Sequence, residues 1–193
     1  MSLNKKFDFI IVGQGLAGTL LAHDLIEENK SVLLIDSNLK ASASRVAAGL
    51  INPISMKRCI EAMPSYYLTK CLDRFLDLEK KLDSSFLKLK PILRLFDSIE
   101  TNNQWKDKYK NEGMRIYIKE LLSKNSFSSL NDSFSSALVE PAGHLDVISF
   151  LDVSRSYFSK FHSLLNEKFD FSLFSDSEIS YKNYTADAII FCE

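Results

Sequence analysis

The chain has 193 residues, 46% of them hydrophobic, and a formal net charge of -1. These values exclude a disordered or strongly charged chain and suit a globular protein with one large domain or two small ones. The near-neutral balance, with Lys and Glu interspersed, argues against nucleic-acid binding, which favours a basic stripe.

Cys59, Cys71 and Cys192 form no CxxC pair and no metal-ligand spacing. They read as small buried hydrophobes, and no metal is expected. The polar start, Met1 to Lys6, followed by a short apolar run ending at Gly13, does not read as a secretory signal. No stretch approaches the roughly 18 apolar residues of a membrane span. Together with the odd cysteine count, this predicts a cytoplasmic protein without membrane contact.

Taken in chain order, Phe7 to Val12 is predicted as a strand, and its continuous apolar character suits a parallel strand covered on both faces. Leu16 to Glu28 reads as a helix with Ala17, Leu20, Leu21 and Leu25 on one face, stopped at Asn29. Ser31 to Ile35 is the second strand, closed by Asp36. Strand, helix and strand make a βαβ unit with a right-handed crossover. Ser37 to Pro53 has no clear period and is rich in small residues. Pro64 opens a helix to about Lys81, with Leu68, Cys71, Leu72, Phe75, Leu78 and Leu82 as its apolar stripe. Tyr66 and Tyr67 read as core.

Ile92 to Phe96 is predicted as a strand with Arg94 facing solvent, and Asn103 to Lys110 as a polar helix anchored by Trp105. Met114 to Leu122 fits strand or helix, and Asn125 to Ser136 reads as loop. Ala137 to Glu140 is a short strand, followed by a turn at Pro141-Ala142-Gly143. Asp146 caps a helix that buries Val147, Phe150, Leu151, Phe158 and Phe161. Phe169 to Phe174 and Glu178 to Tyr181 suggest a hairpin. Ala188 to Cys192 reads as a buried strand cut off where it would turn. That predicts the N-terminal part of a longer protein.

Gly13-Gln14-Gly15-Leu16-Ala17-Gly18 fits G-x-G-x-x-G. Gly13 permits the turn out of the strand, Gly15 lets backbone approach a pyrophosphate, and Gly18 lets the helix pack on the sheet. The helix start then presents unpaired N–H groups and a positive dipole end to phosphates. Asp36, followed by Ser37, stands about twenty residues further on, where a carboxylate accepts ribose hydroxyls. Strand before, helix after and acid at this distance together indicate a dinucleotide site, without separating FAD from NAD.

The segment Ser44-Arg45-Val46-Ala47-Ala48-Gly49-Leu50-Ile51-Asn52-Pro53 resembles the D-amino-acid oxidase superfamily of FAD-dependent oxidoreductases. Glycine oxidase, sarcosine oxidase and the FAD domain of a bifunctional tRNA-modifying enzyme belong to it. The resemblance implies FAD, with Ser44, Arg45, Val46, Ala47, Ala48, Gly49 and Leu50 running along its pyrophosphate and ribityl chain to the flavin edge. For Arg45, neutralising phosphate or flavin charge and a surface salt bridge both stay open. Pro64 to Lys81, Pro91 to Trp105 and Ala137 to Phe150, with Glu140 to Val147 at its centre, are similar to the family's excursion into, and return from, its substrate domain.

The expected fold is α/β: a Rossmann-like FAD-binding βαβ domain, residues 1–62 and 137–193, truncated at the C-terminus. An incomplete α+β substrate domain, with a helical excursion, is inserted at 63–136. The resemblance implies oxidation of a small amine or amino acid, the flavin taking a hydride from the carbon that bears the amine. Other readings are the FAD domain of a tRNA-modifying enzyme, a fragment without activity of its own, and a NAD-dependent dehydrogenase, which Val46 to Leu50 disfavours. No catalytic residue is assigned. His23 and His162 read as packing or surface residues. His144, after the Pro-Ala-Gly turn, reads as a loop residue or part of a substrate channel.

Overall fold

The structure, a computed structural model, describes residues 5–193. The first four residues of the polar start lie outside that range. The chain forms two compact units: one joins the segment up to Ala47 with Val147–Glu193, and the other is Ala48–Asp146. Among the described residues no helix is long and apolar enough to cross a membrane.

The first unit opens with β1 (Lys5–Val12), α1 (Leu16–Glu27), β2 (Val32–Ile35) and the short helix α2 (Ala43–Val46). Asn29 takes φ 60°, the left-handed conformation expected of a helix stop. Ser31 N–H and Oγ–H both donate to Asp8 Oδ2 at 2.6 Å, which ties the start of β2 to β1.

In the second unit β3 (Leu50–Ile51), β4 (Ile54–Ser55) and β5 (Ile60–Glu61) precede α3 (Ser65–Leu82), which follows Pro64 as predicted. Its stripe is narrower than the sequence suggests. Leu68, Leu72 and Leu78 are buried, but Cys71 is exposed, as are Tyr66 and Tyr67, which are not core residues. Next come β6 (Leu87–Leu89), β7 (Ile92–Leu95), α4 (Ile99–Tyr109), α5 (Glu112–Arg115), β8 (Ile118–Leu122), β9 (Ser136–Val139) and β10 (Gly143–Leu145). The ambiguous Met114 to Leu122 stretch thus divides into the end of a helix and a strand. Arg94 is half-buried and pairs with Asp97 at 3.5 Å. Two antiparallel sheets, β7-β9-β8 and β3-β10-β6, and a β4-β5 pair build this unit. Trp105 of α4, Leu68 and Leu72 of α3, and Ile118, Ala137 and Val139 of the sheet share its core.

The chain re-enters the first unit through α6 (Val147–Lys160), β11 (Leu164–Leu165), a 3-10 turn at Phe171–Leu173, β12 (Phe174–Ser175), β13 (Ser180–Tyr181) and β14 (Tyr184–Phe191). The hairpin is shorter than Phe169 to Tyr181 suggests, because the turn consumes Phe171 to Leu173. Phe161 lies beyond α6 and is exposed, whereas Ser154 takes a buried place on the helix.

The sheet runs β11-β2-β1-β14-β13-β12, with β11, β2, β1 and β14 parallel. Alternation along each strand gives each face its own core. Ile10, Val12, Leu33 and Ile35 pack with Phe169 and Tyr181. Ile11, Val32 and Leu34 pack with Ala22 of α1 and Phe158 of α6. Both faces are therefore covered, which is why Phe9 to Val12 of β1 and all of β2 are apolar.

The three cysteines differ in environment. Cys59 is fully buried, and burial pushes its thiol up to about 11. Cys192 is half-buried and its thiol is also pushed up, while Cys71 is exposed. The thiolate is the reactive form. In a titration with an aromatic disulfide at pH 8, Cys71 reacts first and Cys59 reacts only on unfolding, as peptide mapping of the labelled chain would reveal.

Candidate functional site

The turn between β1 and α1 is built by backbone contacts that side chains would block. Gly13 takes φ +99°, and its N–H donates to Ile35 O at 2.9 Å. A Cβ on Gly18 would lie 2.0 Å from the Gly13 carbonyl oxygen, so the first turn of α1 sits directly on the loop. Cys192 N–H donates to Val12 O at 2.8 Å, which brings the end of β14 beside the same turn.

Gly15 caps α1 without a side-chain bond, and Leu16 N–H donates to Ser44 Oγ at 3.0 Å. A Cβ on Gly15 would meet that Oγ at 2.8 Å. First-turn N–H groups have no acceptor within their own helix, and the dipole there is positive. This helix start is therefore suited to an anion.

Asp36 is held rather than free. Its Oδ2 accepts Gln14 N–H at 3.0 Å, and its Oδ1 accepts Asn38 N–H at 2.7 Å and Arg155 Nη1–H at 2.9 Å. Arg155, on α6, also donates to Gln14 Oε1, Asp36 O and Asn166 Oδ1. The Gln14 side chain is buried and turned away from the turn, with Nε2 donating to Leu151 O at 2.9 Å. Arg155 was not legible in sequence. A single arginine on an amphipathic helix, one position past the buried Ser154, is its only signal.

A cleft of about 260 Å³ brings Gly13, Gly15, Asp36, Ser37 and Ser44 together. Its far wall adds residues that sequence reasoning passed over: Glu167, Lys168 and Phe169 after β11, and Cys192 and Glu193 after β14. Leu16 is half-buried and Ala17 exposed at the helix start. Arg45 donates from Nη2 to Asp152 Oδ1 of α6 at 2.6 Å, so the salt bridge forms in this structure. Val46 and Ala47 are exposed. Ala48, Gly49 and Leu50 belong to the second unit, where Leu50 pairs with His144 across β3 and β10.

The three histidines have separate surroundings. His23 is buried against Phe158, Tyr157 and Phe150, with Nε2 3.0 Å from Ser154 Oγ, a helix-packing role. His144 lies exposed on β10 and His162 exposed beyond α6. A larger hollow of about 550 Å³ in the second unit is lined by exposed Lys90, Arg115 and Lys119. It has none of the turn geometry above, so chemistry rather than size selects the smaller cleft. Among the described residues no group of three or more His, Cys, Asp or Glu side chains could hold a metal.

On the far wall, Glu167 accepts from Tyr181 Oη–H at 2.7 Å and Lys182 Nζ–H at 2.6 Å. Burial raises its carboxyl pKa, but the bonds from Lys182 and Tyr181 outweigh that and hold it below the ordinary value. A depressed folded pKa contributes stability above the unfolded value of about 4.3, lost as pH falls through the folded value. Glu167→Gln is expected to flatten this acid dependence of the thermal midpoint below about pH 4.5 while leaving the neutral-to-alkaline profile little changed.

The glycines separate two costs. Gly18→Ala forces a backbone clash that no rotamer relieves, and is expected to destabilise the chain by about 2–4 kcal/mol in denaturant unfolding. Gly15→Ala meets only the end of Ser44, which can rotate away. It is expected to cost less than about 1 kcal/mol, yet weaken nucleotide binding measured by equilibrium dialysis.

The donor set fits a dinucleotide: a helix start, a glycine that leaves the backbone open to the cleft, and a carboxylate at the end of β2. Comparison with known proteins agrees with that geometry. The family model described as DAO, FAD dependent oxidoreductase, matches residues 8–153. The sequence matches no curated protein. Among solved structures, glycine oxidase from Geobacillus kaustophilus is similar at TM-score 0.75 and 16% identity, over 98% of this chain and 55% of that one. L-amino acid deaminase from Proteus vulgaris follows at TM-score 0.67 and 15% identity, over 100% and 48%. L-proline dehydrogenase from P. horikoshii matches at TM-score 0.64 and 16% identity, over 98% and 53%. At these identities the likeness is one of fold, and the chain spans about half the length of the structures it matches. With the family model covering 146 consecutive positions, 8 to 153, the chain belongs to the DAO family of FAD-dependent oxidoreductases.

Proposed function

We propose that this chain holds FAD for the oxidation of a small amine or amino acid. The pyrophosphate is assigned to Gly13, Gln14, Gly15, Leu16, Ala17, Gly18 and Ser44. The nucleotide ribose is assigned to Asp36 and Ser37, and the path towards the flavin to Arg45, Val46, Ala47, Ala48, Gly49 and Leu50. The observation that carries this reading is the seating of Gly18 on Gly13, which sets the start of α1, with glycine as its N-cap, beside the cleft that Asp36 lines.

When bound, FAD supplies the hydride acceptor. The chain's own contribution is to bind and orient. The α1 start offers N–H donors and a positive dipole end to the phosphates without bringing a second cation. Gly15, lacking a Cβ, permits backbone contact. Asp36 accepts from the ribose. Arg45, anchored by Asp152, stands at the end of α2 with its charge already balanced. The solved structures of similar fold named above support an amino-acid or amine substrate by the activities in their names. Three free cysteines suit a reducing, cytoplasmic setting.

The test is the visible spectrum of the protein after FAD is added and unbound cofactor removed by gel filtration. Flavin bands near roughly 370 and 450 nm are expected to remain with the protein. A colourless, well-folded product would overturn the cofactor assignment. Anaerobic addition of glycine, sarcosine or D-amino acids is then expected to bleach the 450 nm band. A stable yellow spectrum across that panel would overturn the substrate class.

A further inference from the structure

Helix α6 reaches the nucleotide site with contacts spaced along one face. The Leu151 carbonyl accepts the Gln14 side chain, Asp152 accepts Arg45, and one turn later Arg155 donates to both Gln14 and Asp36. We propose that Arg155 is a positioning residue for the nucleotide end of FAD, acting through Asp36. The proposal rests on the reading of Asp36 as a ribose acceptor.

The lone pairs of the carboxylate carry the argument. An ionised carboxylate offers about four acceptor positions. On Asp36, Oδ1 serves Asn38 N–H and Arg155, and Oδ2 serves Gln14 N–H. One position remains, on Oδ2. The plane of the carboxylate is fixed because the guanidinium that grips it is itself fixed. Nη1 also donates to Gln14 Oε1 at 2.8 Å, and Nη2 donates to Asp36 O at 3.1 Å and Asn166 Oδ1 at 2.6 Å. Asp36 thus presents one acceptor in one direction, suited to one ribose hydroxyl.

Charge gives a second reason. The Asp36 and Arg155 side chains are 21% and 12% exposed. An unpaired carboxylate there would lose hydration when a nucleotide covers it, and would repel the adjacent pyrophosphate. Arg155 balances that charge before the ligand arrives.

The experiment is a double-mutant cycle on the full chain. FAD dissociation constants are read by flavin fluorescence, with ADP displacement as a second probe. Thermal midpoints without ligand report structural effects. Arg155→Met is expected to weaken FAD about tenfold or more, the scale of losing a bond to a charged group, and ADP in parallel. Arg155→Lys, which keeps the charge but not the four-way grip, is expected to recover part of that loss. In an Asp36→Asn background, Arg155→Met is expected to change FAD affinity by less than about threefold, because the arginine acts through the acid. Full additivity, or wild-type affinity in Arg155→Met, would overturn the role of Arg155 while leaving FAD binding intact. A wild-type chain that binds neither FAD nor ADP would instead overturn the cofactor site, and this proposal with it.

Discussion

The Gly18 backbone rests on the carbonyl of Gly13, and that contact sets the entry of α1. A Cβ in the gap would sit 2.0 Å from the oxygen, well inside any van der Waals separation. With the gap closed, the helix leaves the sheet at once, and its N-cap Gly15 lies on the wall of the cleft. Gly13 supplies the positive φ that bends the chain from strand into helix. Ala22, on the same helix, then reaches the core that Ile11, Val32 and Leu34 form on that face of the sheet. The glycine turn and the hydrophobic core are therefore one mechanical unit.

A polar seam between α1 and α6 complements that apolar contact. Gln14 Nε2 donates to Thr19 Oγ1 and to Leu151 O, and His23 meets Ser154. All four side chains are buried. A buried polar group left unpaired costs about 1–3 kcal/mol, so the seam penalises any sliding of one helix along the other. Apolar residues alone would tolerate such a shift far better. Arg155 extends the seam to Asp36, so the register of the two helices also sets the direction of the acid.

Local signals made the glycine turn, α1, β2 and Asp36 legible in sequence, because a strand, a helix start and an acid each carry a short-range pattern. The small-residue segment pointed to FAD only through resemblance; no periodicity distinguishes it. What was not legible is what depends on distant pairing. Arg155 lies 119 positions from the acid it grips, and its own neighbourhood reads as an ordinary amphipathic helix. The far wall of the cleft, Glu167 to Phe169, follows a two-residue strand too short to register as a pattern. Tyr66 and Tyr67 were misread as core because aromatic character says nothing about which helix face they occupy, and here they lie off the Leu68–Leu72–Leu78 stripe.

Long-range pairing also constrains how the site comes to exist. β1 is flanked by β2, close in sequence, and by β14, whose Ala188 pairs with Phe9. β11 pairs with β2 in the same way, Leu164 with Leu34. The glycine turn can form locally, but the wall that faces it, the grip on Asp36 and one whole side of β1 come from the last 47 residues, after the chain has made the second unit. Closing such loops costs entropy that only the finished contacts return, and topologies of this kind fold slowly. A ligand that bridges the glycine turn and the late-arriving wall favours the closed form over every open one, by an amount that grows with its concentration relative to Kd. Occupation of the cleft and completion of the sheet are thus thermodynamically linked. The cleft lies where the segment up to Ala47 meets the segment after Val147, and an occupant there holds the discontinuous unit together.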